Sequence, residues 1–357
     1  MKPFFSIIVP CCDVEPYVRE CLDSVLNQPF ADWECLLGVE ISKDKTEEIA
    51  RAYAEREPRF RVFTGPRSGS CSASRNTGTD MAQGEYVIFL DGDDTIAEGS
   101  LQRLHDKIAA HPGADIYPCA MKVYDDASGR ELELRDNYPP EAPVEMTGTE
   151  ATLTAARHRG VPCPMLQLSV FRRGFLADNG LKCIHGLRRQ DSEFSPRALY
   201  LAKRVVPLHD QFYLYRIRPN AVGSSARGAG YFHKDWATII RSLLSFHAAV
   251  SREPGFDRRV AATWAVQWTS WLFYFWFDPK NVKTIPRELR VETLCALFRD
   301  GFEDLHLLLR QSSRSRRIAG RWVCAFVRHP FARKAVETLF ALYFALSKKQ
   351  NGGTGAK

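Results

Sequence analysis

The chain has 357 residues, 45% hydrophobic and 25% charged, with a mean hydropathy of -0.27. Its 22 Phe, 12 Tyr and 7 Trp give enough to bury that global disorder is excluded, and the length suits one large domain or two ordinary ones. The formal net charge of +7 belongs to the end of the chain: residues 301–357 hold 11 Lys and Arg against 3 Asp and Glu, while the rest is nearly balanced. No run approaches roughly 18 uninterrupted apolar residues, so no ordinary membrane-spanning helix is expected. Met1–Pro10 is too short for a secretory leader, and a cytoplasmic location follows as the expectation. The ten cysteines contain no C-x-x-C pair and read as free thiols in a reducing compartment, without a zinc site.

Residues 4–9 read as a buried strand closed by Pro10, and residues 15–28 show helical spacing, with Tyr17, Val18, Cys21, Leu22, Val25 and Leu26 on one face. Residues 33–39 read as a second strand, 46–54 as a helix capped by Ser42 or Asp44, and 61–63 as a short third strand. Residues 72–82 read as a helix, 86–90 as a wholly apolar strand, 101–110 as a helix and 115–123 as a fifth strand. This alternation predicts an α/β domain with a mostly parallel central sheet over residues 1–220. Beyond it the strand pattern stops. Residues 235–250, 259–277 and 287–309 read as helices, as does the tail to Lys349, giving a helical extension over 221–357. Ligands of parallel sheets lie outside the carboxyl ends of the strands, which directs attention to Pro10–Asp13, Glu40–Asp44, Gly65–Ser70 and Asp91–Asp94.

The strongest of these is Asp91-Gly92-Asp93-Asp94, directly after the strand Tyr86–Leu90. Three carboxylates in four positions repel one another. A hard divalent cation, Mg²⁺ or Mn²⁺, held together with diphosphate oxygens relieves that repulsion. The alternative is a solvated acidic turn capping the next helix.

Ser6–Pro10, Glu15-Pro-Tyr17, Cys21–Val25 with Gln28, Ser42-Lys-Asp44, Ser74–Gly78 and Gly84–Asp94 together resemble the family 2 glycosyltransferases, of the GT-A fold, in order and spacing. The resemblance implies transfer of a sugar from a nucleotide diphosphate sugar to an acceptor hydroxyl, by inversion. It places Pro10, Asp13, Glu40, Arg75, Asp91 and Asp93 in the donor site, with Asp93 as direct metal ligand and Asp91 near ribose and metal. Gln190-Asp191-Ser-Glu-Phe194 is similar to the family's E-D-x-x-F segment. Asp191 is then the catalytic base, with Gln190 replacing the first acid and Glu193 as the only nearby substitute base.

Departures stand where the nucleotide base should bind. Glu40-Ile41 replaces the family's Asp-Gly, and Cys11-Cys12-Asp13 replaces an aromatic and Asn. Uridine remains the expected nucleotide. Asp13 either contacts ribose and base or caps the next helix. Arg216 and Arg218 either meet phosphates or finish the sheet edge. His233, and less so His209, are candidates to complete the metal site, against a surface or core role.

In the tail, Arg317, Arg321 and Arg328 interleave with Trp322, Phe326, Phe340 and Phe344, split by Pro330. That mixture fits a peripheral anchor on an anionic membrane surface near a lipid-linked sugar acceptor, against a tail packed on protein. No nucleic-acid module accompanies the charge, so no nucleic-acid partner is expected. The expected product is a bacterial cell-surface polysaccharide or glycolipid. The rival functions are a catalytically impaired sugar-nucleotide-binding or scaffold protein and a sugar-nucleotide pyrophosphorylase. The latter wants a glycine-rich basic loop where Pro10-Cys-Cys-Asp13 stands.

Overall fold

A computed structural model describes residues 2–159, 165–218, 229–277, 286–297, 307–308 and 314–340. The chain divides into two compact units, Met1–Ala221 and Val222–Lys357.

The first unit begins with β1 (Phe5–Cys11), α1 (Glu15–Leu26), β2 (Trp33–Glu40), α2 (Thr46–Arg56), β3 (Phe60–Gly65), α3 (Ser72–Met81) and β4 (Tyr86–Phe89). Each strand is paired in parallel with its neighbour. Alternate residues of β1 face opposite sides. Phe5, Ile7, Val9 and Cys11 enter one core, shared with α1 and α2, and Ile8 enters another with Leu36 and Phe89. Burial on both faces explains why these strands read as unbroken apolar runs.

β1 extends past its expected end, through Pro10 to Cys11. The missing N–H is tolerated because of where it points. Ile8 accepts a bond from Leu90 N–H, so Pro10, two residues on, faces the same side. There β4 has already ended, its register running only from Phe5↔Tyr86 to Ile8↔Phe89.

Residues 115–123 do not form one strand. They split into β6 (Ile116–Pro118) and β7 (Met121–Asp125), which belong to different sheets. The crossing falls at Cys119 and Ala120, whose N–H groups bond Leu168 and Asp210. β5 (Thr95–Ile96), α4 (Ser100–Ala110), β8 (Glu131–Arg135), α5 (Gly148–Arg159), β9 (Ser169–Arg172), α6 (Arg173–Asp178), α7 (Gln190–Leu201) and β10 (Tyr213–Ile217) complete the unit.

The main sheet has the order β3-β2-β1-β4-β9-β6, with β9 antiparallel to both neighbours. From β1 the chain winds outward to β2 and β3, then returns to place β4 on the other side of β1. The crevice outside the carboxyl ends of β1 and β4 is therefore the switch point where ligands of such sheets bind. A second sheet, β5-β10-β7-β8, sets β10 in its interior.

The second unit contains α8 (Ala229–Val250), α9 (Arg258–Phe277), α10 (Arg287–Leu297) and α11 (Arg314–Arg328), then a 3₁₀ turn, Pro330–Ala332, before helical residues 333–340. Pro330 thus interrupts the tail, as its missing N–H dictates. Two of the tail aromatics assigned to a membrane face, Phe326 and Phe340, are spent otherwise, while Phe331 is 86% exposed. Phe326 and Phe340 are buried, and Phe340 stacks on Phe277 of α9 at 4.0 Å between ring centroids. Phe326 meets the same ring edge-on. The anchor expectation is corrected for these two rings, and Phe344 lies outside the described residues. Among the described residues no helix is long and apolar enough to cross a membrane.

Candidate active site

The loop after β4 carries Asp91, Asp93 and Asp94 into the β1/β4 crevice. Gly92 is required for packing: a Cβ there would lie 2.9 Å from the Pro10 carbonyl oxygen. Pro10 thus supports the loop from below.

β10 holds the loop from the other side. Tyr213 Oη donates to Asp94 Oδ2 (2.7 Å) and accepts from Asp91 N–H (3.2 Å). Arg216 N–H donates to Asp94 Oδ1 (2.8 Å), and its Nε donates to the Asp93 carbonyl (2.9 Å). Asp94 is buried, and burial with Asp93 and Asp91 nearby raises its carboxyl well above the usual range. It is a structural carboxyl. Arg216 is buried and also pairs with Glu20 and Asp126, so it neither finishes a sheet edge nor is spare for phosphates. Arg218 Nε reaches Asp93 Oδ2 at 2.8 Å.

Asp91 is fixed at both oxygens. Arg75 Nη2 donates to Oδ1 at 2.5 Å, and Gln167 Nε2 to Oδ2 at 2.8 Å. Arg75, from α3, is itself buried, and its Nη1 donates to Gln190 Oε1 at 2.6 Å. Its guanidinium therefore sits between the carboxylate loop and the first residue of α7. Asp191 is next on that helix. Burial pushes its carboxyl above the usual range, Arg75 and Arg189 oppose the shift, and Asp91 adds to it. A carboxylate raised in this way is a better proton acceptor near neutral pH. Arg189, just before it, occupies the left-handed region at φ 43°, a conformation that costs a non-glycine residue about 1–2 kcal/mol.

Glu193 is removed from contention as a base. It is 1% exposed and bound in a fork by Arg197, at 2.7 and 2.8 Å.

At the β2 end, Glu40 is buried with both oxygens accepting from Ser68, from Oγ at 2.6 Å and from N–H at 2.9 Å. Asp13, at φ 52°, accepts from Lys43 N–H and Arg67 Nη2. It does not cap α1. The free N–H groups of Val14 and Glu15 go to Thr46 Oγ1 and Asp44 Oδ2, which also binds the start of α2 through Oδ1. Asp13 and Glu40 thus pin the 65–70 loop beside the crevice.

His209 is held by Asp136, at 2.7 Å. The His233 side chain lies outside the described residues. Among the described residues no three His, Cys, Asp or Glu side chains form a ready metal cage. Asp91 and Asp94 have both carboxyl oxygens engaged and Asp93 only one, by Arg218, so Asp93 is the residue that could hold a hard cation; burial with Asp91 beside it raises its carboxyl despite Arg218. Gln167 was missed from the sequence. Its signal is a lone polar side chain between Leu166 and Leu168 at the entry to an apolar strand.

A parallel sheet with a carboxylate loop at its switch point and an antiparallel β9 beside it is a GT-A type α/β domain. Residues 6–180, most of the first unit, match glycosyl transferase family 2, and this unit is a domain of that family. It is 33% identical over 226 residues to the glycosyltransferase EpsJ of Bacillus subtilis, covering 62% of this chain and 63% of EpsJ. It is 36% identical over 102 residues to the minor teichoic acid biosynthesis protein GgaB of the same organism, covering 28% of this chain and 11% of GgaB. The match thus spans less than two thirds of either relative. The fold is that of S. aureus TarS 1-349, with a TM-score of 0.72 at 20% identity over 97% of this chain and 92% of that one.

Proposed function

We propose that the chain transfers a sugar from a uridine diphosphate sugar to an acceptor hydroxyl with inversion. The observation that carries this reading is the single buried guanidinium of Arg75, which touches Asp91 and lies beside the helix start that bears Asp191. Donor-side and acceptor-side carboxylates thereby share one site. Asp191 takes the acceptor proton as the acceptor oxygen bonds to the anomeric carbon, and the bond from that carbon to the diphosphate breaks in the same step. A single displacement needs no enzymic nucleophile, and burial pushes the neighbouring Cys11 and Cys71 thiols up, away from the thiolate form. A divalent cation held by Asp93 would stabilise the charge gathering on the departing diphosphate. Asp91, with both oxygens engaged, contributes its charge and keeps Arg75 in place.

Uridine is supported by TarS, solved with UDP-GlcNAc and with UDP. A cell-surface glycan acceptor is supported by the teichoic acid role in GgaB's name. Membrane association is the electrostatic part of the proposal alone, through exposed Arg314 and Arg321 of α11.

Calorimetric titration of UDP with and without Mn²⁺ tests the site. Wild-type protein should bind more tightly with the metal, and Asp93→Ala should lose that difference. Equal metal dependence in the variant would overturn the assignment. Metal-dependent UDP binding without release of UDP from any UDP-sugar would favour the binding-protein alternative.

A further inference from the structure

The segment 183–190, which leads into α7, is attached to one face of α3. Ser72, Arg75 and Asn76 fall at i, i+3 and i+4, and so share that face. Ser72 Oγ accepts from Gly186 N–H at 2.9 Å. Asn76 bonds Cys183 in both directions, Nδ2 donating to its carbonyl at 2.8 Å and Oδ1 accepting from its N–H at 2.9 Å. Arg75 donates to Gln190 Oε1. Three residues of one helix thus grip three successive points of the segment before Asp191. The first turn of a helix has no internal acceptors for its N–H groups, so its direction is set by whatever holds it from outside. The left-handed Arg189 immediately before makes the same demand, since such a conformation persists only where its surroundings impose it.

We infer that Gln190 is a positioning residue: through Arg75 it fixes the start of α7, and so the Asp191 carboxylate, at a set distance from the Asp91 end of the donor site. This rests on the glycosyl-transfer reading above. The guanidinium is planar and rigid, so acceptors on Nη1 and Nη2 are held at a defined spacing. At 2.6 and 2.5 Å both bonds are short. Gln supplies the acceptor without adding a further carboxylate beside Asp91 and Asp191. The family's acid at this position would make the same bond with an extra negative charge. Here the side-chain amide keeps the geometry and leaves the charge of Arg75 to Asp91 and its neighbour. Misplacement of a catalytic group by about 1 Å can cost about a hundredfold in rate, so loss of one such bond should register in turnover before it registers in binding.

The test uses the full chain and the UDP-sugar that wild type turns over, with UDP release as the rate and calorimetry with UDP and Mn²⁺ as the binding measure. Gln190→Leu keeps the size and removes the acceptor. It should lower kcat by about tenfold or more while UDP affinity stays within about twofold, and Gln190→Glu should recover most of that loss. Should Gln190→Leu fail to fold, Gln190→Met decides, because it keeps the unbranched length and offers only a weak thioether acceptor, and it should lower kcat in the same selective way. Unchanged kcat in Gln190→Leu overturns the inference, as does a parallel loss of UDP affinity, which would make Gln190 part of the donor site. Absence of UDP release by wild type would sink the glycosyl-transfer reading and this inference with it. Turnover by wild type with an insensitive Gln190 variant sinks the inference alone.

Discussion

The two units differ in what they bury. In the first, the buried charges at the crevice are matched: Arg75 by Asp91 and Gln190, Asp94 by Tyr213 and Arg216 N–H, Glu193 by Arg197. In the second, Trp264 and Trp268 stack at 5.0 Å, and the indole N–H of Trp268 has no acceptor among the described residues. His247 is 1% exposed, with neither ring nitrogen bonded among the described residues, and packs near Phe256 and Trp264. The first interior is organised by directional bonds and can hold charges at chosen places. Among the described residues of the second, aromatic contacts dominate, and one buried guanidinium, Arg290, is met by the Trp276 carbonyl at 2.9 Å and by Glu337 at 3.6 Å.

The comparison breaks most visibly at the aromatic stack. Trp268→Ala should destabilise the helical unit by about 3–5 kcal/mol, the range for losing a buried large aromatic. Urea unfolding followed by tryptophan fluorescence measures it, and a change below about 1 kcal/mol would show that the stack is not the centre of that core.

In the first unit the two carboxylates of α7 should separate cleanly. Asp191→Asn should lose roughly a hundredfold or more in UDP-sugar turnover with UDP affinity kept. Glu193→Gln should instead lower the melting temperature through its fork with Arg197, leaving turnover of the folded protein largely intact. Because the Asp191 carboxyl is raised and must be ionised to act, the wild-type rate should fall with pH from above the ordinary carboxylate range. An acid limb at or below that range would remove Asp191 from the role.

His247 sharpens the contrast through pH. Burial lowers its pKa from 6.5 to about 4, so the native state refuses a proton that the unfolded chain accepts. This contribution to stability is whole above about pH 6.5 and is lost as pH falls towards about 4, on the order of 3 kcal/mol in all. His247→Phe should flatten that part of the stability profile between pH 7 and 4. An identical slope in both proteins would show that protonation is met by a partner.

The smallest effect is expected at Arg67→Ala. Its pair with Asp13 has side chains 42% and 34% exposed, and such pairs contribute about 0–1 kcal/mol. Thermal melts should barely move, and a shift of several degrees would mean that the 65–70 loop is anchored chiefly through this contact.

Some of this was written plainly in the chain. An apolar run ending in Asp91-Gly-Asp-Asp94 announces a strand end with carboxylates, because burial on both faces and local charge repulsion are properties of adjacent residues. The alternation of strands and helices to residue 110 is local for the same reason. The break inside 115–123 was not legible, since each half satisfies a different sheet through partners some 50 to 90 residues away, Leu168 and Asp210. Glu193 looked like a spare base until Arg197 closed on it, and Phe326 and Phe340 looked ready for a membrane but pack on Phe277.

The sequence by itself determined the family, the parallel core of the sheet and the carboxylates at the end of β4, because periodicity and clustered charge act over a few residues. Tertiary structure alone decided what each polar group does. A carboxylate's role depends on which donors surround it, and those come from elsewhere in the chain. Asp94 became a strut when Tyr213 arrived from β10, and Asp91 was bound to Gln167 from the approach to β9. Arg75, which reads as a donor-site arginine, became the link to Gln190, 115 residues away, because only the folded chain brings α3 and α7 together.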